Sequence, residues 1–213
     1  MNQIGTDETP RPIVRRKRGE ERLRLLIDAT DALVSEQDLE TVTLQQIAQR
    51  AGIPVSSIYH FFPNREAAFI AVAKQHLKWF DKTMGSRLVA PPESWQDFVR
   101  IRLHSSADYL NQHRSALRLL LGRHISDEMQ QVNAASYLRL ARARLGVLDS
   151  YFVLPSIEGL DQRFANGGLM ADAVHGHSFT RHGYITEYFL DESTRAVVSY
   201  LRCYLPEYLP RRA

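Results

Sequence analysis

The sequence predicts an all-α protein of about nine helices, and three observations carry that prediction. Apolar residues recur at helical spacing along most of the chain. Strand-like alternation nowhere lasts long enough to propose a sheet. Pro, Gly and small polar residues cut the chain into helix-length pieces. The composition fits: 213 residues, 44% hydrophobic and 24% charged, suffice for one domain, or one domain with an appended module, and a core that needs no disulfides. A largely disordered chain, a collagen-like repeat and a small disulfide scaffold are thereby excluded. No run approaches the ~20 apolar residues of a membrane span, and the charged N-terminus lacks the apolar stretch of a secretory signal. A lone Cys203 cannot pair within the chain, which suits a reducing compartment, so the expected location is the cytoplasm.

Each element follows from its own residues. Residues 1–17, with Gly5, Pro10 and Pro12, read as a flexible basic arm. From about Gly19 to Ser35, Leu23, Leu26, Ile27, Leu33 and Val34, with Thr30, keep helical spacing. Thr43 is placed to cap the next helix, whose buried face is Leu44, Ile47, Ala48 and Ala51. Gly52 is placed to end it in a left-handed conformation, Ile53 to plug the turn into the core, and Pro54 to open a further helix as far as about Phe61. A longer helix from about Arg65 to Met84 turns Phe69, Val72, Ala73, His76, Leu77 and Phe80 inward, and Pro91-Pro92 breaks the chain. Later helices are expected over about 94–111, 115–125, 127–152, 160–179 and 191–205.

Charge is uneven. The net value of +3 decides nothing, but residues 11–24 hold seven cations against Glu20 and Glu21. Such a run can hold a polyanion through counterion release, or it can be a solvated tail. The segment after it favours the first reading. Two short helices separated by Gly52 have the spacing of a helix-turn-helix, in which one helix crosses the phosphate backbone and the next enters the major groove. Ala48, Ala51 and Ile58 are apolar where the helices meet, leaving Val55, Ser56, Ser57, Tyr59 and His60 for the outer face. A structural αα-hairpin has the same spacing, so the pattern alone leaves both readings open.

Residues 22–72 resemble the DNA-binding domain of the TetR family of bacterial transcriptional repressors. The matching residues are Thr43, Ile47-Ala48, Ala51-Gly52-Ile53, Ile58-Tyr59, Phe61-Phe62 and Arg65-Glu66. Three positions depart from the family pattern: Pro54 stands where Ser or Thr is common, Ser56 where Gly is, and Arg65 where Lys is. The resemblance implies a helix-turn-helix domain over 18–66 and a helical effector-binding and dimerisation domain over 67–213. It implies that Thr43, Tyr59 and Arg65 meet phosphates and that His60 lies near the backbone or a base edge. Val55, Ser56 and Ser57 would read bases, while Arg16, Lys17 and Arg18 reach phosphates or a minor groove.

The implied partners are double-stranded DNA bearing a palindromic operator, a small-molecule effector and a second copy of the chain. For the effector, Trp79, Trp95, Phe98, Tyr109, His124 and Tyr137 are the candidate lining residues, being large or amphipathic. For the homodimer, the small residues Gly168 and Ala171 and the stripe of Val197, Tyr200, Leu201 and Tyr204 are the candidate interface; the same stripe could pack within its own subunit.

Enzyme motifs are absent: there is no HExxH, GxSxG, P-loop or dinucleotide fingerprint. His175, His177 and His182 form the one histidine cluster, but on a helix residues two apart point about 200° apart, so only an irregular loop would let them share a metal. Cys203 reads as a small packed side chain. No catalytic residue, metal or cofactor is expected. The expected function is a sequence-specific transcriptional regulator, a homodimeric repressor released by an effector. The alternative is a helical small-molecule-binding protein or enzyme whose helix-turn-helix does not bind DNA.

Overall fold

The computed structural model describes residues 11–122 and 126–212, with side chains from Lys17 onward. Among the described residues there are nine α-helices and no strand: α1 (Arg11–Glu36), α2 (Leu44–Arg50), α3 (Val55–Ile58), α4 (Arg65–Met84), α5 (Trp95–Gln112), α6 (Arg114–Leu121), α7 (Asp127–Asp149), α8 (Leu160–His182) and α9 (Glu187–Leu201). The chain divides into two compact units, Met1–Ala68 and Phe69–Ala213, with the division inside α4.

In the first unit α1 begins at Arg11, ahead of the expected start near Gly19, so residues 11–17 of the expected flexible arm are helical. Pro12 falls in the first turn, where its missing amide proton costs no hydrogen bond, and the Arg and Lys residues behind it are good helix formers. The buried stripe of α1 is Leu26, Ala29, Thr30, Leu33 and Val34, with the Thr30 hydroxyl donating to the Leu26 carbonyl at 2.7 Å. Ile47, Ala48, Ile53, Ile58 and Phe62 bury the opposing faces.

The second unit is a bundle around one core built from α5, α6, α7, α8 and α9 together with Phe80 and Met84 of α4. Its C-terminal segment is tied back: Val153 N donates to Pro210 O at 2.8 Å, Arg212 N to Tyr151 O at 2.9 Å and the Trp95 indole to Pro206 O at 2.9 Å. Helix α9 starts and ends four residues earlier than expected. Thr186 caps it, accepting from Phe189 N at 3.5 Å, and the chain turns after Leu201 ahead of Pro206. Cys203 therefore lies beyond the helix and is exposed, not packed as expected.

Candidate nucleic-acid interface and buried cavity

Thr43 begins the interface by fixing where α2 starts. Its hydroxyl accepts from Gln46 N at 3.2 Å, while Gln46 Oε1 accepts from Thr43 N at 2.8 Å, a reciprocal capping box. The same hydroxyl lies 3.0 Å from Gln46 Oε1, so a phosphate at Thr43 would compete with Gln46 for its proton. Gly52 takes φ +66°, which a side chain would resist, and reverses the chain so that Ile53 enters the core. Pro54 stands just outside α3 at φ −55° and contributes no side-chain cap.

Helix α3 is shorter than expected, because Tyr59–Phe61 close a turn through bonds from Phe61 N and Phe62 N to Ile58 O, both 2.9 Å. Ile58 is fully buried, and the residues around it are thereby presented outward. Ser56, Tyr59 and His60 are exposed, Val55 and Ser57 half-buried, and Tyr59 is 59% exposed. Its phenol has no hydrogen-bond partner among the described residues.

Arg65 opens α4 and donates to the Glu40 carbonyl at 2.6 Å, so it braces the turn before α2 while remaining exposed. Asn64 caps the same helix, its side chain accepting from Ala67 N at 2.9 Å. Sequence reasoning missed this cap, although Asn two residues before a Glu-containing first turn is a recognisable signal. On α1, Lys17 and Arg18 are exposed, whereas the side chain of Arg16 lies outside the described residues. Arg24, in the same basic run, is held by Glu21 and Asp28, each at 2.7 Å, which lowers its value to a phosphate.

The candidate effector residues do not lie together. A cavity of about 50 Å³ sits among α4, α5, α6, α7 and α8, and Tyr137 is the one described candidate that lines it. Trp79 and Tyr109 instead stack at 3.7 Å beside an open groove along α4 and α5. Phe98 packs in the core beneath the Arg102 guanidinium, and Trp95 is fully buried with its indole N–H satisfied by Pro206. His124 lies outside the described residues.

The cavity's polar wall was largely missed. Tyr137 donates to Asp172 at 2.6 Å. Burial pushes the Asp172 carboxyl up, against the opposing pull of Tyr137 and the Arg144 guanidinium. Burial lowers the Arg144 pKa, and Asp172 counters that shift. His175 and Asn133 are both buried and both line the cavity, each with one polar side-chain atom left without a partner. A signal existed: Asn133, Tyr137, Leu140 and Arg144 recur at helical spacing, so polar groups interrupt what would otherwise be an apolar stripe.

The candidate dimer residues are corrected in part. Gly168 leaves room for the Tyr137 ring, since a β-carbon there would lie 3.3 Å from it, and a β-carbon on Gly167 would lie 3.1 Å from Val197. Ala171, Val197 and Leu201 are buried in the subunit's own core. The small residues thus serve close approach within one subunit. Tyr200 and Tyr204 are half-buried: Tyr200 accepts from Asn166 at 3.1 Å, and Arg163 lies over the Tyr204 ring. Exposed residues of α8 and α9 include Leu169, Met170 and Ala173 on α8, and Ala196 and Ser199 beside Arg195 on α9. The histidine cluster disperses along a continuous helix, with His175 inward and His177 outward. Among the described residues, no group of three or more His, Cys, Asp or Glu could hold a metal ion. No described helix is long and apolar enough to cross a membrane.

A capped helix, a glycine turn and an outward-facing second helix have the arrangement of a helix-turn-helix, the class of fold unit that DNA-binding proteins use. Residues 26–72 match the family model described as bacterial regulatory proteins, tetR family. The HTH-type transcriptional regulator BetI of Escherichia coli O45:K1 (strain S88 / ExPEC) is 26% identical over 194 residues, covering 78% of this chain and 93% of that protein. A TetR-family transcriptional regulator from Streptomyces coelicolor superposes with a TM-score of 0.64 at 22% identity, over 87% of this chain and 98% of that one. RolR in complex with resorcinol does so with a TM-score of 0.62 at 19% identity, over 87% and 89%. The chain is thus similar to TetR-family transcriptional regulators: residues 26–72 match that family's model, and the likeness to BetI covers 78% of the chain.

Proposed function

We propose that the protein is a homodimeric repressor, located in the cytoplasm, that leaves a palindromic operator when a small molecule occupies the cavity of its second unit. The observation that carries the reading is the outward set of Ser56, Tyr59 and His60 on a turn fixed by Gly52, with Arg65 beside it. Ser hydroxyls can pair with several bases, and Val55 can touch a thymine methyl. Tyr59 and Arg65 supply phosphate contacts, which set position and not sequence. Lys17 and Arg18 add attraction that falls with salt.

Two copies give two recognition helices about one DNA turn apart, which is why the operator should be palindromic. The outward residues Leu169, Met170, Ala173, Ala196 and Ser199 supply an apolar, small-residue face for the second copy, in place of the buried residues first expected there. That a structural relative binds resorcinol supports a small molecule as the effector class here. The effector must bind the non-operator spacing more tightly than the operator spacing, or it shifts nothing.

Footprinting of the purified protein on DNA flanking its own gene, at physiological salt with competitor, tests the reading. A protected two-fold symmetric site is expected. Protection of nothing there, followed by no enrichment in genome-wide selection of bound fragments, would leave the helix-turn-helix a scaffold and overturn the proposal.

A further inference from the structure

The buried charges of the second unit do not balance, and the imbalance names what its cavity takes, an inference that rests on the effector reading above. Arg144 on α7 lines the cavity of about 50 Å³. It makes no hydrogen bond or ion pair among the described residues. Its Nε is enclosed without a partner, whereas its terminal nitrogens are not enclosed. Nη1 lies 3.6 Å from where a β-carbon on Gly168 would stand, and Gly168 lines the same cavity, so the guanidinium reaches the wall itself. A guanidinium keeps its proton in proteins and presents only donors, so an unpaired one in an interior wants an acceptor.

The neighbouring side chains do not supply one. Asp172, the one carboxylate lining the cavity, accepts from the Tyr137 phenol at 2.6 Å and forms no ion pair with Arg144. Arg102 on α5, 4% exposed, donates to the carbonyls of Thr83, at 2.8 Å, and of Ser86, so it has no carboxylate either. Both arginines line a second cavity, of about 20 Å³, whose wall holds no acidic residue. Burial depresses the Arg144 pKa, Asp172 opposes that shift, and the charge on Arg102 adds to it. Two cations against one carboxylate leave one positive charge in excess, and a buried charge without a partner is costly. Water would supply the missing hydrogen bonds but not the charge. A monovalent anion supplies both.

We propose that the cavity binds a small monovalent anion, of the size of chloride or formate, against the terminal nitrogens of Arg144, with Leu77, Phe80, Leu103 and Leu110 walling it from water. Size sets the limit. A ring such as benzene occupies an apolar cavity of about 150 Å³ and a water takes about 30 Å³ of liquid, so a cavity of about 50 Å³ admits an ion of a few heavy atoms and no ring. A carboxylate also matches the planar fork of a guanidinium, which favours formate over chloride.

Thermal unfolding of the full chain at fixed ionic strength is the test, with sodium gluconate as the reference salt because gluconate is too large to enter. Formate and chloride should each raise the midpoint saturably, by about 2–4 °C once the site is mostly filled, and benzoate, an anion that carries a ring, should match gluconate. Line broadening of the chloride magnetic resonance reads the site directly: the protein should broaden it, and formate but not benzoate should reduce the broadening. Arg144→Met removes the charge and keeps the apolar length, so it should remove the midpoint shift and the formate-sensitive broadening. Lys74→Met, which removes an exposed cation on α4, should leave both. Equal midpoints in formate, chloride and gluconate, benzoate acting as formate does, or an Arg144→Met protein that still responds overturns the proposal, and the wild-type comparison holds even if a variant fails to fold. Neither measurement uses DNA. Anion binding without a footprint would sink the repressor reading alone, and a footprint without anion binding would sink this one alone.

Discussion

Replacing Tyr59 by Phe removes one oxygen from a side chain that is 59% exposed and unpartnered among the described residues. The fold should therefore not register the change, and urea midpoints of the two proteins should coincide. Operator binding should register it. A hydroxyl donating to a charged phosphate contributes about 1.5–3 kcal/mol, which is roughly ten- to a hundredfold in affinity for each half-site. A dimer on a two-fold operator counts the loss twice, so the observed weakening should be about a hundredfold or more. Fluorescence anisotropy with the footprinted operator, repeated across salt concentrations, adds a second reading. Tyr carries no charge, so the slope of log affinity against log salt should not change for Tyr59→Phe, whereas Arg65→Ala should flatten it by about one ion per half-site. Affinity within about twofold of wild type for Tyr59→Phe, or a changed salt slope, would refute the placement of this phenol on a phosphate.

Thr43→Ala should lower stability by about 1 kcal/mol through loss of the capping box, and Thr43→Ser should restore most of it; equal urea midpoints for all three would deny the cap. Gly146→Ala and Gly167→Ala make the same change inside helices but differ in surroundings. A β-carbon on Gly146 meets nothing within 4 Å, so helix propensity alone should stabilise by up to about 1 kcal/mol, while one on Gly167 meets the stiff, buried Val197 at 3.1 Å and should destabilise. Thermal melts showing the same sign for both would contradict the close packing of α8 on α9. His175 should make the protein acid-sensitive. Its folded pKa of about 4 lies below the usual 6.5, so the unfolded chain binds the extra proton between those values, and stability falls as pH drops through that window by up to roughly 3 kcal/mol. His175→Phe should flatten that part of the profile, and an unaltered slope would place the ring in water.

The DNA-binding half was legible because its rules are local. Thr43, Gly52, Ile53 and Pro54 each act on neighbours within a few residues, so the sequence alone places the cap, the left-handed turn and the plug. The inward face of α4 was legible for the same reason: Phe69, Val72, Ala73, His76, Leu77 and Phe80 are all buried at the expected period. The second unit was legible only as helices. Gly167, Gly168 and Ala171 announce a close approach but not which helix approaches; tertiary packing answers with α7 and α9 of the same chain. Aromatic size was a poor guide to the cavity, because Trp95 and Phe98 are what a core fills itself with, while the cavity wall is marked by polarity out of place.

That misplaced polarity sets the cavity wall apart from the rest of the core. Packing alone would favour leucine at Asn133 and an aromatic carbocycle at His175, since both leave a polar atom without a partner. Arg144 and Asp172 in the same wall each bear a desolvation cost that their mutual attraction only partly offsets. Unsatisfied atoms also occur elsewhere, on Gln96, Arg102 and Arg163, but Asn133, Arg144 and His175 share one cavity. Scattered defects would weaken the fold with no common cause, whereas these three belong to residues around one space: two acceptors, Asn133 Oδ1 and His175 Nδ1, and one donor, Arg144 Nε.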